Sequence, residues 1–314
     1  DVVRGELSQH PAMSAVPAIP ETRTITVAEL ESRWQGRLSP RLAARVTELN
    51  LQYRPLTQPE RDENLLRIIN SILNPPVAAG AHRLDQWEKG WGENLDLLLR
   101  AGNVDAVTPL YFGKHHIVRW AGDLANPVTP NFEYLILSVL VEWALETWLA
   151  DAGKIYEFGC GPGYHLLRAR KLFPDKPLVG LDWTTASQNI LREMVTRGLV
   201  DNLHGHRFNF FEPDESLALR PGEGIYSVAA LEQIGDQHER LLDFLCRKRP
   251  SVCVHIERLF TQAQLPPELP AHVAGMGTPR PGAHPCRPPH LDGQPVHRRS
   301  LARRLVAGLN IPLP

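Results

Sequence analysis

The stretch Ile155-Tyr-Glu-Phe-Gly-Cys-Gly-Pro-Gly163 decides the fold of this 314-residue chain. Its first four residues form a short β-rich run, and the glycines that follow permit backbone conformations that side chains disfavour. Leu166, Ala169 and Phe173 then mark one face of a helix. A strand, a bare-backbone turn and a helix in this order predict a cradle in which the main chain approaches a ligand closely.

A carboxylate at Asp182 is the second deciding feature. It stands 19 residues beyond Gly163 (182 − 163) and directly follows the apolar run Leu178–Leu181. At the end of a second strand, this side chain could accept two hydrogen bonds from ribose hydroxyls. The glycine turn and the distant acid together predict a site for a cofactor that contains a nucleoside.

Strand and helix patterns continue to alternate through the rest of this region. We predict strands at 155–158, 178–181, 207–211, 224–231 and 251–257, with helices after the first two strands and at 238–249. Such alternation is typical of a parallel sheet with crossover helices. The predicted fold class is α/β, with a Rossmann-like, doubly wound, mainly parallel sheet.

The region before this core is predicted to be a helical cap. Residues 1–80 form an extension with one clear helix, which begins at the capping-box residues Thr57 to Glu60. Residues 81–152 carry helical patterns at 84–99 and 132–149 and form a candidate acceptor-binding region. The core is then predicted to span residues 153–258.

Composition narrows the class of partner. The 34 Lys and Arg against 35 Asp and Glu give a net charge of −1, so we expect a small-molecule acceptor and no nucleic acid. No apolar run approaches the roughly 20 residues that span a bilayer, and no secretory signal is visible. The four cysteines lack zinc-site spacing, which favours a reducing, cytoplasmic setting.

A nicotinamide dinucleotide fold would also show a strand, a glycine turn and a distant acid. Its fingerprint places a small residue three positions after the second glycine, where this chain has the bulky Tyr164. Glu157 would be poorly placed beside a pyrophosphate and suits a ligand with a cationic amino-acid end. The pattern therefore favours a different nucleoside cofactor, with an NAD-dependent oxidoreductase kept as the alternative.

Residues 153–258 resemble the core of the class I S-adenosylmethionine-dependent methyltransferases. Glu157 to Gly163 match the first motif of that family and Leu181-Asp182 the second, over about a third of the chain. The resemblance implies that S-adenosylmethionine is the cofactor and that Asp182 holds its ribose. It also implies that the loop glycines line the methionine end; these are Gly159, Gly161 and Gly163.

The resemblance places the adenine less firmly. Trp183 is expected to pack on the adenine ring, although an aromatic residue at a strand end is about as often part of the core. The family often has an acid for the adenine amine after the third strand. Here Asn209, Glu212 and Asp214 compete for that position, and we take Asn209 as the candidate.

Three residues near the predicted ends of strands four and five are catalytic candidates: Glu232, His255 and Glu257. Methyl transfer needs mainly alignment of the acceptor atom, with a base only where a hydroxyl must lose its proton. Each candidate also has a structural interpretation. Glu232 could cap a helix, His255 could be an ordinary strand histidine, and Glu257 could pair with Arg258.

The segment 111–120 of the cap supplies the candidate acceptor-binding residues. Tyr111, His115 and Arg119 could together bind an anionic or sugar-like acceptor above the cofactor. A surface loop anchored by two aromatic residues is the equal alternative. No metal site is expected, because the adjacent histidines at 115 and 116 could not easily face one ion in a strand.

The chain departs from the family after its fifth predicted strand. Residues 259–314 contain no alternating apolar run, so the usual hairpin of strands six and seven is predicted to be missing. The tail is rich in Pro and Arg and is predicted to be disordered. The sequence thus predicts a methyltransferase for a small polar acceptor such as a sugar, with a non-catalytic methyltransferase-like binding protein as a further alternative.

Overall fold

The computed structural model describes residues 20–74, 79–114, 116–235 and 237–257. The strands are β1 (Arg23–Thr24), β2 (Gln52–Pro55), β3 (Val118–Trp120), β4 (Asp123–Pro127), β5 (Lys154–Phe158), β6 (Leu178–Asp182), β7 (Leu203–Arg207), β8 (Glu223–Val228) and β9 (Val252–Ile256). The helices are α1 (Val27–Trp34), α2 (Pro40–Leu49), α3 (Gln58–Leu73), α4 (Leu84–Ala101), α5 (Phe132–Trp148), α6 (Tyr164–Leu172), α7 (Thr185–Thr196) and α8 (Glu239–Lys248).

Five parallel strands form the central sheet in the order β7-β6-β5-β8-β9. The order reverses at β5, because the chain first moves to β6 and β7 and then returns to add β8 and β9 on the other side. In open α/β sheets such a reversal opens a crevice at the carboxyl ends of the strands. The predicted Rossmann-like α/β fold is confirmed.

Each face of this sheet has its own hydrophobic core. Ile155 of β5 and Leu178 of β6 face the helices α5, α6 and α7, whereas Tyr156 and Val179, one residue later, face α8. Because side chains of a strand alternate between its faces, continuous apolar runs are needed to fill both layers. These runs are the ones from which the strands were predicted.

Helix α4 lies beside α7, so the region before the core reaches the crevice. Helix α5 is buried on nearly all sides, with only a few half-exposed residues, as expected for a helix that is apolar around its circumference. It separates the parallel sheet from the N-terminal elements. The capping box that was predicted for α3 is present, with Thr57 and Glu60 bonded reciprocally.

The cap is not purely helical, and here the sequence prediction was incomplete. Strands β1, β2, β4 and β3 form a four-stranded antiparallel sheet, and α1 and α2 precede the one helix that was predicted before residue 80. The strands are two to five residues long and include Pro55 and Pro127. Such short, polar strands show too little alternation to be recognised from the sequence.

The third strand of the parallel sheet was predicted too late in the chain. It spans Leu203–Arg207 instead of 207–211, and only its first residue is buried. As an edge strand it carries polar residues that give no apolar pattern. The phenylalanines that suggested a strand leave the sheet and pack against Phe158 or the crevice; they are Phe208, Phe210 and Phe211.

The sequence also predicted that no segment spans a membrane and that the tail lacks regular structure. None of the helices in the described ranges combines the length and apolarity that crossing a bilayer requires. The tail at 259–314, with its missing hairpin, lies outside the described residues.

The fit of α6 and α7 against β6 gives the first testable prediction. A Cβ atom at Gly180 would lie 2.5 Å from Leu191 Cδ1 and 2.7 Å from Leu166 Cδ1. Gly180→Val should therefore lower the free energy of unfolding by about 1–3 kcal/mol, as overpacking does. Urea denaturation followed by circular dichroism measures this change.

A glycine in open space serves as the control. Gly90 lies inside α4, and a Cβ atom placed there would have nothing within 4 Å. Gly90→Ala should raise the free energy of unfolding by roughly 0.5–1 kcal/mol, because alanine favours the helix. Equal stability of Gly180→Val and the parent protein would contradict the packing described for β6.

Candidate cofactor and acceptor cleft

A cleft opens at the carboxyl ends of β5, β6 and β8. It contains about 730 Å³ of space not filled by protein atoms, including the part that is open to solvent. The core contributes the glycine loop after β5, the end of β6 and the turn after β8, and the cap contributes α4 and Tyr111. The cleft therefore lies at the reversal of the strand order, between core and cap.

The glycine loop forms one wall of the cleft. The amides of Gly159 and Cys160 both donate to the carbonyl of Leu181, at 2.7 and 2.9 Å, which ties the loop to the end of β6. Gly161 has a φ of +51°, and a Cβ there would lie 2.9 Å from the ring of Trp91. Gly163 does not line the cleft; a Cβ there would meet Leu191 on α7 at 2.6 Å.

Asp182 lies at the end of β6 with a 6 % exposed side chain. Its Oδ2 accepts a hydrogen bond from the amide of Gly161 at 2.9 Å, and its Oδ1 accepts two from Thr184 at 2.7 and 2.9 Å. A carboxylate offers about four acceptor positions, so these three bonds leave room for at most one further donor where two ribose bonds were expected. Burial raises the pKa of this carboxyl, and the hydrogen bonds from Thr184 and Gly161 oppose the rise.

Glu157 is the most deeply buried acid of the cleft, at 1 % exposure. The hydroxyl of Tyr226 donates to its Oε2 at 2.8 Å. Burial raises its pKa well above the usual value, and the charge of the neighbouring Asp182 raises it further. Two buried carboxyls that raise each other's energy when ionised favour a cation beside them.

Two stacked indoles of α4 form the roof. The rings of Trp87 and Trp91 lie 5.3 Å apart at 26°, and Tyr111 lies 6.4 Å from Trp91. Both tryptophans line the cleft. Because Trp91 touches the bare backbone of Gly161, the roof and the glycine loop are in direct contact.

Polar bonds hold the roof on the core. The two carboxylate oxygens of Glu88, on α4, accept hydrogen bonds from the amides of Thr185 and Ala186 at 2.8 Å each. This carboxylate caps the positive end of α7 from outside. Arg83 donates to Gln233 Oε1 at 2.9 Å, across 150 positions of sequence. Cap and core therefore share the walls of the cleft.

Aromatic side chains line the far end of the cleft. Trp183 lies 5.7 Å from Phe211 at 37°, and Phe208 and Phe210 also line this end. Asn209 does not line it, because its Oδ1 accepts a hydrogen bond from the amide of Phe211 at 3.0 Å and closes a turn. Trp183 therefore lines the cleft and Asn209 does not, and the contact of Trp183 with adenine stays a prediction.

The three catalytic candidates do not line the cleft. Glu257 accepts hydrogen bonds from Ser227 Oγ at 2.5 Å and from the amide of Leu231 at 3.0 Å, so it anchors the turn 231–234. His255 Nδ1 lies 2.9 Å from the same Ser227 oxygen. Glu232 accepts a hydrogen bond from Gln233, and it is Gln233 that faces the cleft. Their positions favour a supporting role.

The acceptor-binding candidates are separated in space. Tyr111 lines the cleft, but Arg119 lies on β3, where it pairs with Leu124 of the antiparallel sheet. His115 falls outside the described residues. Of the two candidates that the structure describes, Tyr111 lies at the cleft and Arg119 does not.

Several lining residues were missed by the sequence analysis. Trp87 and Trp91 are four residues apart, a spacing that placed them on one helix face without indicating that this face covers a ligand site. Residues His165 and Gln233 also line the cleft. His165 lies in a helix and Gln233 in a turn, and whether these elements face the cleft depends on tertiary packing.

Comparisons with known proteins found likeness only among solved structures. No family model matches the chain, and no curated protein does. PKMT2 from Rickettsia typhi in complex with AdoHcy is 17 % identical over 31 % of this chain and 19 % of its own, with a TM-score of 0.28. The [4+2]-cyclase SpnF is 17 % identical over 58 % and 59 %, with a TM-score of 0.34.

A third similar structure was solved as a complex with several ligands. The geranyl diphosphate C-methyltransferase from Streptomyces coelicolor A3(2), in complex with Mg²⁺, geranyl diphosphate and S-adenosyl-L-homocysteine, is 16 % identical over 50 % of this chain and 57 % of its own. Its TM-score is 0.29. In each case the chain spans less than two thirds of the matched protein. Because these TM-scores are below 0.5, the Rossmann-like fold rests on the strand order of this chain itself.

The buried carboxyl of Glu257 generates a prediction about pH and stability. Burial raises its pKa to about 8, above the usual 4.5, so folding favours the protonated form. The stability it contributes is complete below pH 4.5 and is lost as the pH rises through about 8. Glu257→Gln has no carboxyl to ionise and so avoids this loss. The melting temperature of the variant minus that of the parent protein should therefore increase from about pH 5 to about pH 9.

Differential scanning fluorimetry of both proteins in steps of one pH unit measures the difference. Taking the difference at each pH cancels the other titrating groups that both proteins share. Asp243→Asn, on the neighbouring helix α8, is the control and should show no such trend. A constant difference between parent and Glu257→Gln across this range would contradict the raised pKa.

Proposed function

We propose that this chain is an S-adenosylmethionine-dependent methyltransferase that acts on a small polar acceptor. The observation that carries the proposal is the pair of buried carboxyls, Glu157 and Asp182, on either side of a bare glycine backbone. A sulfonium with an amino-acid tail brings two positive groups, whereas a pyrophosphate brings negative charge to the same place. The electrostatics of the cleft therefore favour the sulfonium cofactor.

The residues present fit this cofactor in three respects. Glu157 offers a buried acceptor for an ammonium group, Asp182 keeps one acceptor position for a ribose hydroxyl, and the aromatic end offers apolar contact for adenine. At Gly161 a Cβ would lie 2.9 Å from the Trp91 ring, so a side chain there would push the roof away from the loop. We assign the cofactor to these groups and not to Gly163 or Asn209.

The chemistry asks little of the protein beyond alignment. When bound, S-adenosylmethionine supplies an electrophilic methyl carbon on a positively charged sulfur. Holding an acceptor atom in line with that carbon accelerates transfer without a dedicated base. Trp87 and Trp91 exclude water above the glycine loop, and Gln233 presents an amide at the rim. Glu232, His255 and Glu257 act in this proposal by supporting the turn that carries Gln233.

The acceptor is proposed to be uncharged. None of the described residues that line the cleft is Lys or Arg, and Arg83, at the rim, is bonded to Gln233. A diphosphate or another polyanion would meet the two carboxyls without a matching cation. The aromatic roof with Tyr111 suits the face of a ring, so a sugar remains the leading candidate for the acceptor.

The alternatives make different predictions for ligand binding. An NAD-dependent oxidoreductase would be stabilised by NAD and not by S-adenosylhomocysteine. A non-catalytic protein of this fold would bind S-adenosylhomocysteine but transfer no labelled methyl group to small molecules of a cell extract. The position of the catalytic candidates outside the cleft is the observation that keeps this second alternative in view.

Calorimetric titration with S-adenosylhomocysteine tests the proposal. The parent protein should bind it, and NAD at the same concentration should give no heat. Gly161→Arg should abolish binding, because its Cβ would already lie 2.9 Å from the Trp91 ring and the longer side chain would have to displace the roof or enter the cleft.

Gly198→Arg is the matched control. Gly198 also has a positive φ, of +67°, but nothing lies within 4 Å of a Cβ placed there. Both variants carry the same backbone strain and charge change, so only the crowding of the cleft differs. Undiminished affinity in a folded Gly161→Arg variant, or a parent protein that binds NAD instead, would overturn the assignment.

A further inference from the structure

The first turn of α6 is an uncapped helix end beside the cleft. Gly163 stands at its N-cap position, and no side chain of the described residues accepts a hydrogen bond from its first amides. The amino end of a helix carries partial positive charge and unpaired N–H groups, which favour an anion. This nine-residue helix follows directly on the glycine loop.

His165, in the same turn, is the second and independent observation. Its side chain is 2 % exposed and lines the cleft, yet neither ring nitrogen has a hydrogen-bond partner among the described residues. Burial and the charge of Arg168 hold its pKa well below the usual value. A neutral imidazole still carries one N–H donor, and leaving that donor unpaired in the interior is costly.

The other polar side chains of this turn contact neighbouring residues. Arg168 bonds to Glu142 at 3.3 Å and its guanidinium lies 4.8 Å from the centre of the Tyr134 ring, so it points into the contact between α5 and α6. Tyr164 also lines the cleft, but its hydroxyl is hydrogen-bonded to Tyr111. Arg168 Nε is also buried without a hydrogen-bond partner, but Arg168 does not line the cleft. Among the described polar side chains of this turn that do line it, His165 is therefore the one left to meet a ligand.

We propose that the first turn of α6, with His165 as hydrogen-bond donor, binds the α-carboxylate of the cofactor's amino-acid end. The proposal rests on the proposed function and deepens it. The two charges of the amino acid are then separated along the loop, with the ammonium at Glu157 and the carboxylate at His165. A zwitterion is recognised by opposite partners eight positions apart in the sequence (165 − 157).

The test compares two ligands that differ in this end alone. S-adenosylhomocysteine has the amino-acid tail, and 5′-methylthioadenosine lacks it. In calorimetric titrations, His165→Ala should lower the affinity for S-adenosylhomocysteine by about tenfold or more. This is the usual effect of losing a hydrogen bond to a charged group. The affinity for 5′-methylthioadenosine should stay within about twofold. His204→Ala, on the exposed edge strand β7, should change neither.

Other results of these titrations would contradict either the role of His165 or the proposed function. An equal loss for both ligands, or no loss for S-adenosylhomocysteine, would overturn the role of His165. If the parent protein binds neither ligand, the proposed function fails first, and the two failures are thereby distinguished. Should His165→Ala not fold, His165→Leu keeps the packing against Tyr164 while removing both nitrogens, and the same ratio of affinities decides.

Discussion

A single carboxylate holds the ligand cleft together. Asp182 accepts a hydrogen bond from the amide of Gly161 on one side and bonds from Thr184 on the other. Through it, the loop after β5 and the helix after β6 keep a fixed distance at the point where the strand order reverses. The bonds from Gly159 and Cys160 to the Leu181 carbonyl hold the same loop from its other side.

The sequence predicted the core well because the core is built from strong local signals. The runs at 155–158 and 178–181 must fill two hydrophobic layers, so they are apolar throughout, and the glycine loop has few alternative structures. Where the signal was weak, the prediction failed. Leu203–Arg207 is an exposed edge, and the antiparallel strands of the cap are too short to show a period.

The sequence predicted some of the residues that line the cleft and missed others. Glu157 and Asp182 occupy positions that the chain's own motif fixes, and both line the cleft. Trp87, Trp91 and His165 reach it only because α4 packs along α7 and α6 begins at the loop. Such placement is a property of tertiary packing, which residue spacing does not encode. The same reason explains why Glu232, His255 and Glu257 looked catalytic in sequence yet lie behind the turn 231–234.

The bond from Glu88 to the start of α7 has a kinetic consequence. Any motion that lifts α4 away from the core must break two charge-assisted hydrogen bonds and leave the first amides of α7 uncapped. The rate at which a molecule enters or leaves the space beneath Trp87 and Trp91 then depends on the two bonds of Glu88 as much as on the contacts within the cleft. Residence time and affinity would in that case respond to different residues, the former to position 88 and the latter to the glycine loop.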